Sequence, residues 1–354
     1  MSLVQDPGIR ADSAKGAAVH AAAMCDAFTK CGVEVMALFS KNNADTLAQL
    51  REHQSAGIDF VYERYSLGAY AGSEWAKSQG IPHVLEVNSP LEWEATRWRS
   101  GLPESFDGER ERRMFMDSHL VSCVSDPVAQ YAIERGAQVH ATLVLPNGVD
   151  TERFQPLPAA ARDKAKRDWF PSLESPVVLG FHGRLRPWHN WQRIAQAAGA
   201  CIERGVNLAV CCVGRGDFQE ALAQGVPQDR FHWIDWCSSD ELAQHVGCFD
   251  LMALGYDASM PYYFSPLKLR EAMCAGVVPI VPDIGSLPKE VGHGRCGLIY
   301  DPTAAEGLAW SIETLCGSQE IRNVLSREAR QLARKCDWKN IAHRVLDGVG
   351  AVRP

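Results

Sequence analysis

Short apolar runs alternate with helix-like segments along almost the whole chain, and this alternation limits the fold more than any other feature. Strands separated by helical segments are typical of βαβ units, which form parallel sheets with helices on both faces. The runs predicted as strands are residues 3–5, 34–39, 60–63, 83–87, 120–124, 142–145, 177–182, 208–213, 231–234, 251–254, 278–281 and 297–300. We therefore predict an α/β protein with doubly wound parallel sheets.

The length of the chain predicts two domains. It has 354 residues, whereas a single core stops growing near roughly 250–300 residues. A Pro-Asn-Gly turn at residues 146–148 ends the first series of strands, and the segment that follows is richer in Pro, Ala and charge. We predict a first domain over residues 1–154, a second over 155–336, and a C-terminal helix within 337–354 that crosses back to the first domain.

Composition and charge disfavour several classes of protein. The formal net charge of −7 disfavours nucleic acid as a partner, because phosphate backbones require basic surfaces. The 12 cysteines show no C-x-x-C pair and no zinc-binding spacing, which indicates reduced, buried side chains in a cytoplasmic protein. No signal peptide is visible, and no apolar stretch approaches the roughly 18 residues of a membrane span. We expect a cytoplasmic protein, with peripheral membrane contact as an alternative.

The run SPLKLREAMCAG, residues 265–276, has the features of an anion-binding helix. Ser265 suits the N-cap and Pro266 suits the first helical position. Lys268 and Glu271 are three residues apart and share one face. The lysine and the free N–H groups of the first turn would bind phosphate, and the carboxylate would accept hydrogen bonds from a ribose diol. A surface ion pair on an ordinary helix explains the motif alone equally well.

A second candidate site follows the strand predicted at residues 177–182. The sequence GRLRPWHN places Arg184 and Arg186 in a loop beyond that strand, where doubly wound sheets bind ligands. A planar guanidinium bonds two oxygens of a pyrophosphate at once. A solvated pair of arginines that caps a turn is the alternative.

The entry to the first helix is a weaker candidate. Lys15 and Gly16 lie at the entry to a helix predicted over residues 16–31, and glycine lets a ligand approach the backbone closely. A plain loop would have a similar sequence. His20 lies one turn further along, where a histidine is more often structural than catalytic.

In this order and spacing, these features resemble the retaining GT-B glycosyltransferases of family four, also called group 1, over nearly the whole chain. The SPLKL and PWH variants resemble those of a subgroup. The segments that carry the resemblance are PNGVD (146–150) with Phe154, GRL (183–185), VGRG (213–216), EAMCAGVVPIVPDIGSLPKEV (271–291) and HGRCGLIYDP (293–302).

The resemblance implies a GT-B fold, in which two Rossmann-like domains face a cleft. The C-terminal domain would bind the nucleotide sugar and the N-terminal domain the acceptor. Chemistry would be retaining and would need no metal and no cofactor, because basic residues and a helix N-terminus neutralise the leaving diphosphate. Arg184 at the diphosphate and Glu271 at the ribose are the catalytic residues implied. The donor-binding residues implied are Gly16, Arg184, His189, Ser265, Leu267, Lys268 and Glu271.

The chain departs from the family pattern in three places. Tyr263 stands where the first glutamate of an E-x7-E motif usually touches the donor sugar, which leaves the identity of the sugar open. His189 and Asn190 replace a lysine and a glycine, and a neutral histidine gives less charge than lysine. Residues 264–266 replace a glycine pair before the donor helix, and Pro266 has no N–H to offer a ligand.

The acceptor side is predicted from the ends of strands in the first domain. The candidates are His20, Arg64, Glu86 and Asn88. A structural network within the domain is at least as good an explanation of these residues. Residues 97–113 carry five arginines among acidic residues. They would contact a lipid-linked acceptor or a membrane surface, but a solvated helix of mixed charge is favoured.

The function predicted is transfer of a hexose-type sugar from a nucleotide-diphosphate sugar to a hydroxyl group of a glycan, a lipid-linked molecule or a small molecule. Two alternatives stay open. One is a non-catalytic relative that binds a nucleotide sugar, and the other is a GT-B nucleotide-sugar epimerase.

Overall fold

The computed structural model describes residues 1–6, 8–9, 16–98, 101–259 and 261–352. These residues divide into two compact units. Unit 1 contains the described residues of Met1–Asn147, the short segment Tyr263–Ser265, and the described residues from Trp338 onward. Unit 2 contains the described residues of Gly148–Tyr262 and the segment Pro266–Asp337.

The sheet of unit 1 has six parallel strands in the order β2-β1-β3-β4-β5-β6. The strands are β1 (Ser2–Gln5), β2 (Ala37–Ser40), β3 (Val61–Arg64), β4 (His83–Val87), β5 (Leu120–Cys123) and β6 (Thr142–Val144). The helices are α1 (Gly16–Lys30), α2 (Asn43–Glu52), α3 (Ala71–Gln79), α4 (Leu91–Trp98), α5 (Gly108–Asp117), α6 (Asp126–Glu134) and α15 (Trp338–Val352). The register of β3 and β4 sets Arg64 opposite Glu86.

Both faces of this sheet are covered by helices. In β4, Val84 packs in a cluster with Phe28 of α1 and Val345 of α15. The neighbouring Leu85 packs on the other face with Phe115 of α5 and with residues of α6. Successive side chains of a strand point to opposite faces, so an apolar run buried on both sides is the expected composition of such a strand.

The sheet of unit 2 also has six parallel strands, in the order β12-β11-β10-β7-β8-β9. The strands are β7 (Val177–His182), β8 (Leu208–Val213), β9 (Phe231–Ile234), β10 (Leu251–Ala253), β11 (Val278–Pro282) and β12 (Leu298–Tyr300). The helices are α7 (Ala159–Trp169), α8 (Trp191–Glu203), α9 (Glu220–Ala223), α10 (Ser239–Val246), α11 (Leu267–Cys274), α12 (Leu287–Glu290), α13 (Gly307–Gly317) and α14 (Gln319–Arg334).

Strand β7 marks the point where the order of the strands in the sheet of unit 2 reverses. From β7 the chain runs outward through β8 and β9, then returns to β10 on the other side and continues to β11 and β12. In open α/β sheets the crevice beyond the carboxyl ends of two such strands is the place where ligands bind. The ends of β7 and β10 are therefore the first place to look for a site in unit 2.

The structure confirms the predicted fold class, since each predicted apolar run overlaps one parallel strand. The ends of the elements differ by a few residues. Strand β2 begins at Ala37 although its apolar run begins earlier, and α1 ends at Lys30, before Gly32 with its positive φ of 83°. Among the described residues, no helix combines the length and apolar character needed to cross a membrane.

The structure divides the chain at different places from the predicted boundaries. Residues 148–154 belong to unit 2, where the Thr151 hydroxyl donates to Asp337 Oδ2 at 2.5 Å. Tyr263–Ser265 belongs to unit 1, where the Ser125 hydroxyl donates to the first carbonyl of this segment at 2.7 Å. The C-terminal helix α15 lies in unit 1 and packs against α1.

Candidate functional site

The carboxyl end of β7 leads into a loop that leaves Arg184 exposed. The strand ends at His182, and Gly183 follows with φ of 96°. Within the described chain, Arg184 has no hydrogen-bond or ion-pair partner. The N–H of Leu185 donates to the carbonyl of Arg215 at 2.8 Å, which fixes this loop against the one after β8. The guanidinium of Arg184 is thus held beyond the sheet without an internal anion, as an anion-binding arginine requires.

Glycines make the contact between these two loops possible. A Cβ built on Gly214 would lie 2.2 Å from the carbonyl oxygen of Gly183, and Gly214 has φ of 132°. A Cβ on Gly216 would lie 2.3 Å from the Cβ of Leu185. The VGRG segment therefore has a steric explanation, since only glycine allows this close approach of backbones.

His189 is held in one orientation at the end of the same loop. It closes a single 3₁₀ turn, Pro187–His189, and the N–H of Arg186 donates to its Nδ1 at 3.1 Å. The ring is buried and packs edge-on against Phe181. Asn190 follows with φ of 46°, a left-handed conformation that asparagine adopts more readily than most residues.

Helix α11 does not begin as predicted. Pro266 occupies the N-cap position with extended backbone and no side-chain cap, so Leu267 is the first helical residue. Ser265 is not the cap, because it belongs to unit 1 and its buried hydroxyl accepts a hydrogen bond from the N–H of Asn147 at 2.9 Å. The predicted capping role of Ser265 is wrong, and the first turn of α11 has no capping side chain.

Lys268, on the first turn of α11, meets the loop after β7. Its Nζ lies 3.0 Å from His189 Nε2 and 4.3 Å from the centre of the Phe181 ring. Burial lowers the pKa of Lys268 to about 7, and the charge of Glu271 opposes this shift. Burial, followed by the charges of Lys268 and Arg186, lowers the pKa of His189 to about 2, so the ring is neutral near neutral pH.

Glu271, one turn further along α11, is held by a residue that the sequence analysis did not single out. Its Oε2 lies 2.8 Å from Nε2 of His182, the last residue of β7. The side chain of His182 is 2% exposed, whereas that of Glu271 is 20% exposed. The other carboxylate oxygen of Glu271 has no partner among the described residues. A polar residue at the end of the otherwise apolar run VVLGFH was the signal that marks His182.

In unit 1, three of the four acceptor-side candidates are partners of one another. Glu86 Oε1 accepts from His20 Nε2 at 3.1 Å and from the Tyr62 hydroxyl at 2.5 Å. The guanidinium of Arg64 lies 3.2 Å from Glu86 Oε2 and 3.1 Å from His20 Nδ1. Burial alone would raise the pKa of Glu86, but His20, Arg64 and Tyr62 together hold it at about 2. This geometry is that of a structural network within the domain, the alternative given in the sequence analysis. The acceptor role of these residues stays a prediction.

The remaining predicted residues of unit 1 are less constrained. Asn88 follows β4, and its buried side-chain amide nitrogen has no hydrogen-bond partner among the described residues. Gly16 is the exposed first residue of α1, and a Cβ built there would meet no atom within 4 Å. Lys15 lies outside the described residues. Packing therefore gives no reason for glycine at position 16, while Asn88 offers a free donor at a strand end.

The arginines of the segment at residues 97–113 are largely paired. Arg110 lies over the ring of Tyr70, 4.3 Å from its centre, and Arg113 Nε lies 3.1 Å from Glu109 on the same helix. Arg99 lies outside the described residues. These contacts are typical of the solvated helix of mixed charge that the sequence favours.

Tyr263 is part of the core of unit 1. Its hydroxyl donates to Glu94 Oε1 at 2.9 Å, and its ring packs edge-on against Trp93. Its neighbours in the same apolar cluster include Tyr65 and Phe115. The residue at the position of the first motif glutamate is thus a packing residue of unit 1.

Comparison with solved structures defines the class of fold. Anabaena HepE in complex with UDP superposes with a TM-score of 0.73 at 18% identity, over 99% of each chain. WaaG, a glycosyltransferase involved in lipopolysaccharide biosynthesis, gives 0.70 at 13% identity, again over 99% of each chain. The two parallel sheets of the present chain have the GT-B fold of these proteins.

Comparison of sequences adds the family. Residues 176–318 match the model described as Glycosyl transferases group 1, and residues 43–153 match Glycosyltransferase Family 4. Both models describe glycosyltransferases and together they match the larger part of the chain, which is therefore a glycosyltransferase with the GT-B fold. It is 24% identical to D-inositol 3-phosphate glycosyltransferase of Pseudarthrobacter chlorophenolicus, over 87% of this chain and 74% of the relative. It is 27% identical to GDP-mannose-dependent alpha-(1-6)-phosphatidylinositol monomannoside mannosyltransferase of Mycobacterium tuberculosis, over 57% of this chain and 54% of the relative.

Proposed function

We propose that this glycosyltransferase transfers a hexose-type sugar from a nucleotide-diphosphate sugar to a hydroxyl acceptor, with retention and without a metal ion. The observation that carries the proposal is the pairing of α11 with the end of β7 in unit 2. Two side-chain contacts join them, Lys268 to His189 at 3.0 Å and Glu271 to His182 at 2.8 Å. They bring the predicted phosphate-binding and ribose-binding residues to one edge of the sheet, at its switch point.

The free groups at this edge suit the two polar parts of a nucleotide diphosphate. Glu271 keeps one carboxylate oxygen without a partner, and that oxygen would accept hydrogen bonds from the ribose diol. Arg184 would bond the diphosphate through its planar guanidinium, together with Lys268 and the uncapped first turn of α11. These positive groups would stabilise the negative charge that develops on the leaving diphosphate, which is the task a metal ion performs in other transferases.

The chemistry proposed is a front-face displacement at the anomeric carbon. The bond from that carbon to the phosphate oxygen breaks, and a bond to the acceptor oxygen forms on the same face of the sugar. The proton of the acceptor hydroxyl passes to the departing phosphate oxygen, so charge and atoms balance without a protein base. Residues such as Arg184 and Glu271 then act by positioning the donor and stabilising charge.

The relatives indicate classes of donor and acceptor. HepE is described with UDP and with UDP-glucose, and the mycobacterial relative is named as GDP-mannose-dependent. We therefore propose UDP-hexose or GDP-hexose as the donor. The acceptors named for the relatives, inositol phosphate and a phosphatidylinositol mannoside, carry free hydroxyl groups. A hydroxyl of a small polar molecule, a glycan or a lipid-linked glycan is the corresponding acceptor class here.

The test begins with thermal-shift measurements across nucleoside diphosphates and their sugars, since a ligand of the folded state raises the melting temperature. The donor that binds is then assayed for transfer to hydroxyl acceptors in the presence of EDTA. NMR of the product reports the anomeric configuration. We expect activity in EDTA and an unchanged anomeric configuration.

Substitutions test which residues bind the donor. Glu271→Ala and Arg184→Ala should each lower kcat/KM by roughly tenfold to a hundredfold, the value of a charge-assisted hydrogen bond. Glu203→Ala and Arg167→Ala, at exposed positions of unit 2, are the matched controls and should keep full activity. Full activity in both site variants would show that the donor binds elsewhere. Donor binding without turnover would indicate a non-catalytic relative, and an epimerised donor would indicate an epimerase.

A further inference from the structure

The contact between Lys268 and His189 determines where the protons lie. The N–H of Arg186 donates to His189 Nδ1 at 3.1 Å, so Nδ1 must carry a lone pair. A neutral imidazole has one N–H and one acceptor nitrogen. We therefore assign the proton of His189 to Nε2, the atom 3.0 Å from Lys268 Nζ. The opposite tautomer would set two N–H groups against each other at Nδ1.

This tautomer requires an acceptor at Lys268. An ammonium group has three donors and no lone pair, whereas a neutral amine can accept the hydrogen bond from Nε2–H. No carboxylate lies within 4 Å of Lys268 Nζ among the described residues. The geometry around Lys268 thus fits an uncharged lysine better than a charged one.

The other groups around Lys268 act in both directions. Arg186 of the loop after β7 adds positive charge near the pair, and burial of the amine also disfavours the cation. Glu271 on the same helix favours the cation, although one of its oxygens is bonded to His182 of β7. The face of the Phe181 ring, 4.3 Å from Nζ, favours the cation by a further small amount.

We propose that, above neutral pH, Lys268 is an uncharged amine in the donor-free enzyme and takes up one proton from solvent when the diphosphate of the donor binds. The inference rests on the proposed function, because it requires a diphosphate at this edge of unit 2. The step is the addition of a solvent proton to the amine lone pair, which gives an ammonium group and no other bond change. Before the donor binds, the N–H at His189 Nε2 donates a hydrogen bond to the amine. Once the amine is protonated, this N–H is left to donate to a phosphate oxygen.

The proposal fixes the direction of the pH dependence. In the free enzyme the pKa of Lys268 is about 7, lowered chiefly by burial, and the bound diphosphate raises it. Below about pH 7 the lysine is already charged, so this residue gives the affinity no pH dependence. Above it, binding must draw a proton from solvent, and the Kd rises by about tenfold per pH unit until the pKa of the complex is reached.

Calorimetry measures the proton directly. UDP, or GDP if only GDP binds, is titrated at about pH 8 in HEPES and in Tris, and the difference in heat gives the number of protons taken up. At this pH the terminal phosphate of the nucleotide, with a pKa of about 6, is already deprotonated and contributes little. We expect about 0.9 proton per nucleotide for the unsubstituted enzyme.

Substitutions test whether Lys268 is the group that takes up the proton. Lys268→Arg keeps the positive charge at every pH and should bind nucleotide with proton uptake near zero. Lys268→Gln is a neutral second variant that should show weaker binding and again no uptake. Lys164→Arg on the exposed surface of α7 should behave like the unsubstituted enzyme.

The outcomes separate this proposal from the proposed function. Nucleotide binding with no proton uptake would overturn the proposal for Lys268 alone, as would uptake that persists in Lys268→Arg. Failure to bind either UDP or GDP would overturn the proposed function and this inference with it. Uptake near one proton that disappears in both Lys268 variants is the supporting result.

Discussion

Single residues at the end of β7 decide how the ribose-binding carboxylate is presented. His182 is buried and donates through Nε2 to Glu271, while its Nδ1 has no partner among the described residues. It contacts neither sugar nor phosphate in the proposed function. Its effect therefore passes through Glu271, which makes it a positioning residue.

The substitution His182→Asn removes this hydrogen bond from a buried site. We expect the KM for the donor to rise by roughly tenfold, the value of one hydrogen bond to a charged group, with a smaller change in kcat. Steady-state kinetics with varied donor concentration measures both constants. His140→Asn, at an exposed position of unit 1, is the control. A fall in kcat at constant donor KM would contradict a positioning role.

At this scale the sequence predicted the positions of the donor-side candidates better than their contacts. Arg184, Lys268 and Glu271 lie at one edge of unit 2, as their spacing around the strands indicated. Ser265 was wrong as a cap, because its hydroxyl is used by the backbone of Asn147. A choice among competing hydrogen-bond partners depends on residues distant in sequence, so local capping rules do not determine it.

At the scale of elements, the loops after β7 and β8 hold the candidate site through a contact that only glycine allows. The substitution Gly214→Ala would place a Cβ 2.2 Å from the carbonyl oxygen of Gly183. Gly205→Ala is a matched control, because Gly205 also has positive φ but has no atom within 4 Å of its Cβ position.

We expect Gly205→Ala to cost about 1 kcal/mol of unfolding free energy, for backbone strain alone. Gly214→Ala should cost at least about 2 kcal/mol more and should lower nucleotide affinity, since the loop of Arg184 must move to relieve the clash. Urea denaturation and nucleotide titration measure the two effects. Equal losses of stability in the two variants would mean that the loops adjust without strain.

The strands were predictable because parallel strands buried on both faces are continuously apolar. The ends of the strands were less predictable. Strand β2 is an edge strand that pairs with β1 alone, and its four residues match the four of β1. The apolar run at residues 34–39 is longer than the partner available to it. The length of a strand thus depends on its neighbour in the sheet, which its own sequence does not contain.

At the scale of the whole molecule, two buried carboxylates of unit 1 shape the dependence of stability on pH. Burial raises the pKa of Glu111 to about 7, against the hydrogen bond from Tyr65. Because its pKa is higher in the folded state, Glu111 stabilises the fold when it is protonated. This contribution is complete below the unfolded-state pKa of about 4.5 and is lost as pH rises through about 7. Glu86, with a pKa of about 2, has the opposite dependence and loses its contribution only as pH falls from about 4.5 toward 2.

The substitution Glu111→Gln keeps an acceptor for Tyr65 and removes the ionisation. We expect the stability of the unsubstituted protein to fall between about pH 5.5 and pH 8 by about 2 kcal/mol, and that of the variant to fall less. Thermal and urea unfolding at the two pH values measure the difference. Glu104→Gln, at an exposed position, should follow the unsubstituted protein. Parallel losses in Glu111→Gln and the unsubstituted protein would place the pH dependence on other groups.

The division of the chain was the least predictable feature at this scale. A boundary between residues 154 and 155 was expected from the turn and the composition that follows it, but three residues from the middle of the second half, Tyr263–Ser265, belong to unit 1. They are held there by the Tyr263 hydroxyl on Glu94 and by the Ser125 hydroxyl on a carbonyl. Composition along the chain can indicate boundaries between contiguous segments. It does not indicate that three residues within one segment belong to the other unit.

The place of α15 in the core of unit 1 has a consequence for synthesis on the ribosome. Ile341 and Val345 of this helix pack with Phe28 of α1 and Tyr62 of β3, which are made far earlier. Domains of a growing chain generally fold in the order in which they emerge. Here unit 1 emerges first but is completed last, after most of unit 2 has left the ribosome. Until then the face of unit 1 that α15 covers is exposed, and we expect chaperones to bind it during translation.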